Sequence, residues 1–324
     1  MKKTIFRFAF VVIFASLFTG CSLKYTINNP EVSGNPYDIT TKKHFVMQVV
    51  DQRSDKNFHQ AVSNLKNLKL ELKNVEDPIL WLSQALEREF TARGVSLEIT
   101  SKEPTNPPDL ILIVKKYQIV SRRVSGFSPW ESFHSFMGEL KTADQTTAIR
   151  AYFFDGKVPV WSMAEIQEPC FQTPMTILIK EIASKVNSNA LHYAMSEEKV
   201  KAISNKIETQ MKSGGKDLCY SLIELGATNN PEAMAPLLKI ADTQDPFARG
   251  CAFSAIGILG GKNEFNFLKQ KYEQYSGPDR PMALKAIGDI GTPESTQFVE
   301  KAKQDSQYSS EGGFKYCVDL YLEK

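Results

Sequence analysis

The 324-residue chain predicts an α+β N-terminal domain, a mostly antiparallel sheet with helices on one face, followed by an all-α arm of helical repeats. Three observations carry this. Between residues 43 and 195, short apolar runs of strand character alternate with two helix-opening signals, Asp77-Pro78 and Thr173-Pro174. From Ser196 onward the pattern turns wholly helical. Residues 252–260 then recur 31 positions later as residues 283–291, with Ala-Ile-Gly at the centre of both copies, which is the self-similarity of a repeat architecture.

The chain opens with Lys2, Lys3 and Arg7, continues as an apolar run over residues 8–18, and leaves it through Thr19-Gly20-Cys21. The run is shorter than the ~20 residues that a membrane-spanning helix needs. A basic start, a short apolar core and a small-residue exit describe a secretory leader. The exit resembles the lipobox of bacterial lipoproteins, although Phe18 stands where leucine is usual. The resemblance implies a signal peptide over residues 1–20, acylation of Cys21 (palmitate among the chains) and a mature protein beginning at that cysteine. Ser22 is not the Asp that retains lipoproteins in the inner membrane under the enterobacterial rule. The implied location is therefore the outer membrane, facing the periplasm. At about 0.8 kcal/mol per buried methylene, several acyl chains would hold the protein permanently.

Residues 21–42 carry Asn28, Asn29, Pro30, Gly34, Asn35 and Pro36 with little apolar periodicity, the composition of a lipidated flexible tether. The α/β domain is expected over residues 43–195. Residues 44–50 read as a strand buried on both sides, and Leu68, Leu70 and Leu72 alternate as a short edge strand. Asp77 caps a helix whose Ile79, Leu82, Leu86 and Phe90 share one face, with Gly94 as its stop. Residues 95–99 and 110–120 read as further strands, separated by a loop with Pro104, Pro107 and Pro108. Asp155-Gly156, between strand-like runs, reads as a two-residue hairpin that pairs Phe153 with Val158 and Ala151 with Val160. Pro159 cannot donate to a ladder and places that strand at an edge. The second helix turns Leu178, Ile182 and Val186 inward.

Several features of this region resemble small envelope lipoproteins, among them the auxiliary components of lipid-transporting ABC systems. They are a strand ending Val49-Val50-Asp51-Gln52-Arg53, a helix ending Arg93-Gly94-Val95, Pro108-Asp109 before an apolar strand, and a hairpin near Trp161. The resemblance covers about residues 43–192, implies a role in lipid transport, and carries over no catalytic residue.

Residues 196–215 are expected as a connecting helix with Val200, Ile203, Ile207 and Met211 inward, ending at Gly214-Gly215. Residues 216–324 resemble HEAT-like repeats: small residues where helices pack closely, a turn glycine, then Asn or Thr with Pro-Glu (Asn230-Pro231-Glu232, Thr292-Pro293-Glu294). Three repeats and a capping helix with Phe314, Cys317 and Tyr321 are expected. Such arms present surfaces to proteins.

Little in the chain points to chemistry. Removing Lys2, Lys3 and Arg7 with the leader leaves 36 basic against 37 acidic residues, a net of −1. That balance, with no basic run, does not fit a nucleic-acid partner. His44, His59, His134 and His192 have no metal-ligand spacing, and no cysteine pair has the two-residue gap of a zinc site. Gly257 to Lys262 lacks the glycine spacing of a phosphate loop and has Asn263 where Ser or Thr would bind magnesium. A non-enzyme without a cofactor, apart from the covalent lipid at Cys21, is expected. Cys170, Cys219, Cys251 and Cys317 remain for an oxidising compartment. Cys219 and Cys251 fall in successive first helices and are the pair that could bond, but helical repeats seldom need staples, so buried thiols are expected.

One stretch stands out. Residues 126–138 link two strands, with Trp130, Phe133 and Met137 on one side of an expected helical turn. Phe127, Trp130, Phe133, Phe136 and Met137 either cover the sheet face of Tyr152, Phe154 and Trp161 or form an exposed patch for lipid or a partner. The sequence as a whole points to a non-catalytic outer-membrane lipoprotein that binds another envelope protein as an adaptor or assembly factor. The alternative is an accessory of a lipid-transport system.

Overall fold

The computed structural model describes residues 22–41, 43–66, 69–104, 106–213, 217–310 and 312–323. The leader, Cys21, Leu68 and the Gly214-Gly215 pair lie outside the described residues.

A six-stranded sheet forms the N-terminal region. Its strands are β2 (His44–Asp51), β3 (His59–Ser63), β5 (Ser96–Thr100), β6 (Leu110–Arg123), β7 (Trp130–Lys141) and β8 (Thr146–Lys157). The order is β5-β2-β6-β7-β8, with β3 also pairing on β6. β1 (Ser22–Thr26) and β4 (Lys69–Lys73) form a separate parallel pair, with Ser22 opposite Lys69. The sheet is mixed rather than mostly antiparallel. β2 runs parallel to β5 and β6, and β3 parallel to β6, whereas β6, β7 and β8 form an antiparallel meander. The difference comes from helix α1 (Pro78–Ala92), which returns the chain so that β5 enters alongside β2 in the same direction. α1 forms as its sequence dictates. Asp77 accepts the orphan N–H groups of Ile79 and Leu80, Pro78 sits in the first turn, and Gly94 stops it at a φ of +78°.

The expected Asp155-Gly156 hairpin does not form. β7 occupies the stretch expected as a linking turn, and the reversal lies after it, where the Thr142 N–H donates to the Gln145 carbonyl. β8 runs straight through the dipeptide, with Ser132 opposite Asp155 and Glu131 opposite Gly156. A type I′ turn needs positive φ at both central residues, and neither has it. The glycine meets a different need: a Cβ there would sit 2.9 Å from the Trp130 carbonyl oxygen. Phe153 therefore faces His134, not Val158.

Residues 22–41 are also not a free tether. Tyr25, Ile27 and Tyr37 are buried, Tyr25 Oη donates to the Met163 carbonyl at 2.7 Å, and the Ser33 N–H donates to Glu89 Oε2 at 3.0 Å. Tyr25 and Ile27 alternate with exposed Lys24 and Thr26, a strand period too short to stand out in the sequence, and Tyr37 is buried separately ten residues on.

Helix α2 (Thr173–Val186) is buried at every position from Pro174 to Val186, not on one face alone. The sheet covers one side and the C-terminal helices cover the other. Those helices are α3 (Glu197–Ser213), α4 (Leu218–Gly226), α5 (Met234–Ile240), α6 (Pro246–Leu259), α7 (Phe265–Gln274), α8 (Arg280–Ile290), α9 (Pro293–Lys301) and α10 (Gly313–Leu322). The 31-residue period becomes a ladder of close approaches. A Cβ on Gly226 would meet Ala255 O at 2.5 Å, and one on Gly257 would meet Ala286 Cα at 3.1 Å. One on Gly288 would meet the Tyr321 ring at 2.3 Å. Cys219 and Cys251 are bonded, with Cα atoms 5.4 Å apart, joining α4 to α6. This corrects the expectation of free thiols there. The small residues that let α4 and α6 approach also bring the two sulfurs within bonding reach. Cys170 and Cys317 are free and buried.

Two buried ionic clusters bind the regions together. In one, Glu89 and Arg93 of the α1 end, Lys180 of α2 and Glu224 of α4 meet, with Arg93 Nε 2.8 Å from Glu89 and Arg93 Nη2 3.1 Å from Glu224. In the other, Glu181 and Lys185 of α2 meet Lys285 and Asp289 of α8 at 2.6–2.9 Å. α10 closes the second face of the sheet. Tyr152 Oη donates to the Gly313 carbonyl at 2.7 Å, and the Phe133 and Tyr316 rings stack with centroids 4.8 Å apart.

Candidate functional site

The structure separates the aromatic residues singled out in the sequence. Trp130, Phe133, Phe136 and Met137 are buried in β7, and Phe127 alone is exposed, at 98%. The four buried ones form no patch, because both faces of β7 are covered: α2 and the turn before it lie on one side, and α10 on the other. Each face of β7 mixes apolar and polar residues, with Trp130, Ser132, His134 and Phe136 on one and Glu131, Phe133, Ser135 and Met137 on the other, so the strand shows no alternation and the stretch reads as a loop. Cys21 lies outside the described residues.

Nor do the buried titratable groups assemble into a reactive set. His134 Nε2 lies 2.9 Å from the Cys170 carbonyl oxygen and 3.1 Å from Ser132 Oγ, and burial pushes its pKa down to about 3. Burial likewise raises the Cys170 thiol and lowers His59 to about 4. A neutral imidazole beside a protonated thiol, both sealed from solvent, packs the core and lacks the thiolate that nucleophilic chemistry uses. Among the described residues, no group of three or more His, Cys, Asp or Glu could hold a metal ion.

One feature that can bind something is a cleft of about 500 Å³ where the sheet meets the helical region. Pro129, Phe153, Phe154 and Val158 line it from the β7–β8 end, and Pro246, Phe247, Cys251 and Met282 from α6 and α8. Val158 is 54% and Phe247 50% exposed, large apolar groups left open at the mouth. Local sequence puts Phe247 there. Asp245 caps α6 by accepting the Phe247 N–H at 3.0 Å, Pro246 starts the first turn, and the ring projects where no neighbouring helix covers it.

The polar groups of the cleft are carboxylates. Asp155 is raised to about 6 by burial, opposed by the Gly156 N–H that donates to its Oδ1 at 2.7 Å. Asp279 is 1% exposed. Its Oδ2 accepts from Arg249 Nε at 2.8 Å, and its Oδ1 has no partner among the described residues. A buried acceptor without a donor costs about 1–3 kcal/mol. A second apolar groove, about 630 Å³, lies between α3 and α5 around Met211, Pro236 and Ile240, within the helical region alone. Sequence reasoning missed the junction cleft because its walls lie more than eighty residues apart in the chain. The one local signal was an aromatic residue directly after a proline helix start.

No family model and no curated protein matches the chain. Several solved structures resemble it over about half its length. A DUF330 protein from Xanthomonas campestris shares 12% identity at a TM-score of 0.31, covering 49% of this chain and 91% of its own. A minor lipoprotein from Acinetobacter baumannii shares 11% at 0.27, covering 46% and 92%. An uncharacterized protein shares 11% at 0.27, covering 52% and 97%. No helix among the described residues is long and apolar enough to cross a membrane.

Proposed function

We propose that the chain is a non-catalytic envelope lipoprotein, held through Cys21 in the outer membrane, that grips an extended apolar segment of another envelope protein in the junction cleft. The observation that carries this reading is an apolar lining that also holds the part-exposed carboxylates of Glu131 and Asp155. A peptide brings both apolar side chains and backbone N–H donors, whereas an acyl chain brings no donor. Three further features support it. Thr19-Gly20-Cys21 follows a secretory leader in the sequence. The Cys219–Cys251 bond suits an oxidising compartment. The glycine ladder of α4, α6 and α8 is what HEAT-like repeats use to stack helices into a binding scaffold. The alternative, an accessory of a lipid-transport system, draws on one observation: the cleft lies at the β7–β8 end of the sheet, the end that carries Trp161.

A photo-reactive amino acid in place of Phe247, installed in the full chain in living cells, tests this. We expect a discrete protein adduct from position 247 and none from position 201, an exposed site on α3. Adducts to phospholipid alone would move the function to lipid transport. No adduct of either kind would remove the cleft from consideration.

A further inference from the structure

Three exposed apolar residues, Phe127 at 98%, Trp161 at 84% and Val158 at 54%, have no cover in the fold. The topology brings them to one end of the sheet. Phe127 lies in the turn between β6 and β7. Trp130 at the start of β7 pairs with Lys157 at the end of β8, so Val158 and Trp161 leave the sheet beside that turn. β3 runs parallel to β6 and finishes with Ser63 opposite Arg123. The next residue, Asn64, donates its N–H to the Arg123 carbonyl at 3.1 Å and its side-chain amide to the Val124 carbonyl. Five residues on, Lys69 begins β4 opposite Ser22, the first residue of β1. The path of the mature N-terminus therefore starts at the same end.

A second chain of contacts agrees. Tyr25, about 10 Å along β1 from Ser22, donates its hydroxyl to the carbonyl of Met163, two residues after Trp161. Gln167 Nε2 donates to the Thr26 carbonyl at 2.9 Å. Going back along β1 toward Ser22 thus leads in the direction of Trp161. Cys21 is one peptide unit, about 3.8 Å, before Ser22.

We infer that this end of the molecule, with Phe127, Val158 and Trp161, seats in the headgroup region of the bilayer that holds the acyl chains of Cys21. The inference rests on the lipoprotein reading given above. It commits to phospholipid as the occupant because the folded domain begins directly after the anchoring residue, with no spacer to lift this end away. The Trp161 ring, with its one polar N–H, suits that depth, Phe127 and Val158 add apolar contact, and Lys66 and Lys157 stand at the same end to meet lipid phosphates. The domain is thereby fixed in orientation on the membrane instead of swinging on a tether, and the mouth of the junction cleft, which shares Val158, faces the bilayer surface.

Tryptophan emission reads this directly. Of the three tryptophans, Trp81 and Trp130 are buried at 6% and 1%, so Trp161 is the one open to its surroundings. The mature full-length protein, extracted from membranes, is reconstituted into phosphatidylglycerol–phosphatidylcholine vesicles with and without lipids brominated near the headgroup end of their acyl chains. Its intact mass is recorded on the same sample. We expect the Trp161 share of the emission to shift to the blue and to be quenched by the brominated lipid. Both effects should vanish in Trp161→Phe and weaken in Phe127→Asp. An acylated Cys21 with unshifted, unquenched emission overturns the inference and leaves the lipoprotein reading in place. An unmodified Cys21 overturns both.

Discussion

Lys285→Met is expected to lower stability by about 3–5 kcal/mol, the usual cost of breaking a buried ion cluster by removing one partner. Lys285 is fully buried in α8, with its Nζ 2.7 Å from Glu181 Oε1 and 2.9 Å from Asp289 Oδ2. Burial alone would lower its pKa, but the carboxylates of Asp289 and Glu181 outweigh burial and hold it up to about 12. Lys185 bridges the same two acids at 2.6 Å each, and Tyr321 Oη donates to Asp289. Two cations and two anions balance. Methionine matches the volume of the lysine stem but leaves two buried carboxylates facing one ammonium. The loss should appear as a lower urea midpoint with an unchanged slope. Lys201→Met, on the exposed face of α3, should stay within about 0.5 kcal/mol of wild type. A Lys285→Met protein as stable as wild type would mean that the sheet and the helical region are not joined through this cluster.

Replacing both Cys219 and Cys251 with alanine is expected to cost about 3–4 kcal/mol. The bond closes a loop across a sequence separation of 32 residues, and the chain-entropy estimate for a loop of that size falls in this range. The effect should concentrate on the packing of α4 against α6 and on the cleft wall that Cys251 helps to form. Thermal unfolding with and without reductant checks it. The wild-type melting temperature should fall in reductant to near that of the double variant, and the variant should not respond. Equal melting temperatures for all four samples would show that the bond constrains nothing.

What the sequence revealed, and what it hid, follows from which forces are local. Helix α1 was legible because Asp77, Pro78 and Gly94 act on their immediate neighbours. The repeat region was legible because Gly226, Gly257 and Gly288 meet the same steric need at the same spacing. Strand β7 was hidden because both of its faces mix polar and apolar residues, and the cover that α10 gives one of them comes from some 180 residues later in the chain. Lys180, Glu181 and Lys185 read as ordinary helix charges, and only their partners on α1, α4 and α8 make them buried clusters. Asp155-Gly156 carried a strong local turn signal, which the β7 pairing overrode. The candidate site was least legible. Phe127 was in the expected set and is exposed, but the cleft is built from Val158, Phe247, Asp279 and Met282, which come together only when the helical region docks on the sheet.

The membrane anchor underlies both the proposed function and the seat of the sheet end on the bilayer, and one measurement addresses it most directly: the intact mass of the mature chain purified from membranes, beside that of Cys21→Ser. The expected result is a wild-type chain that begins at Cys21 and carries the added mass of its acyl chains, with Cys21→Ser accumulating as an unlipidated precursor that retains residues 1–20. A wild-type chain without lipid mass, or a Cys21→Ser chain that matures identically, would contradict the anchor.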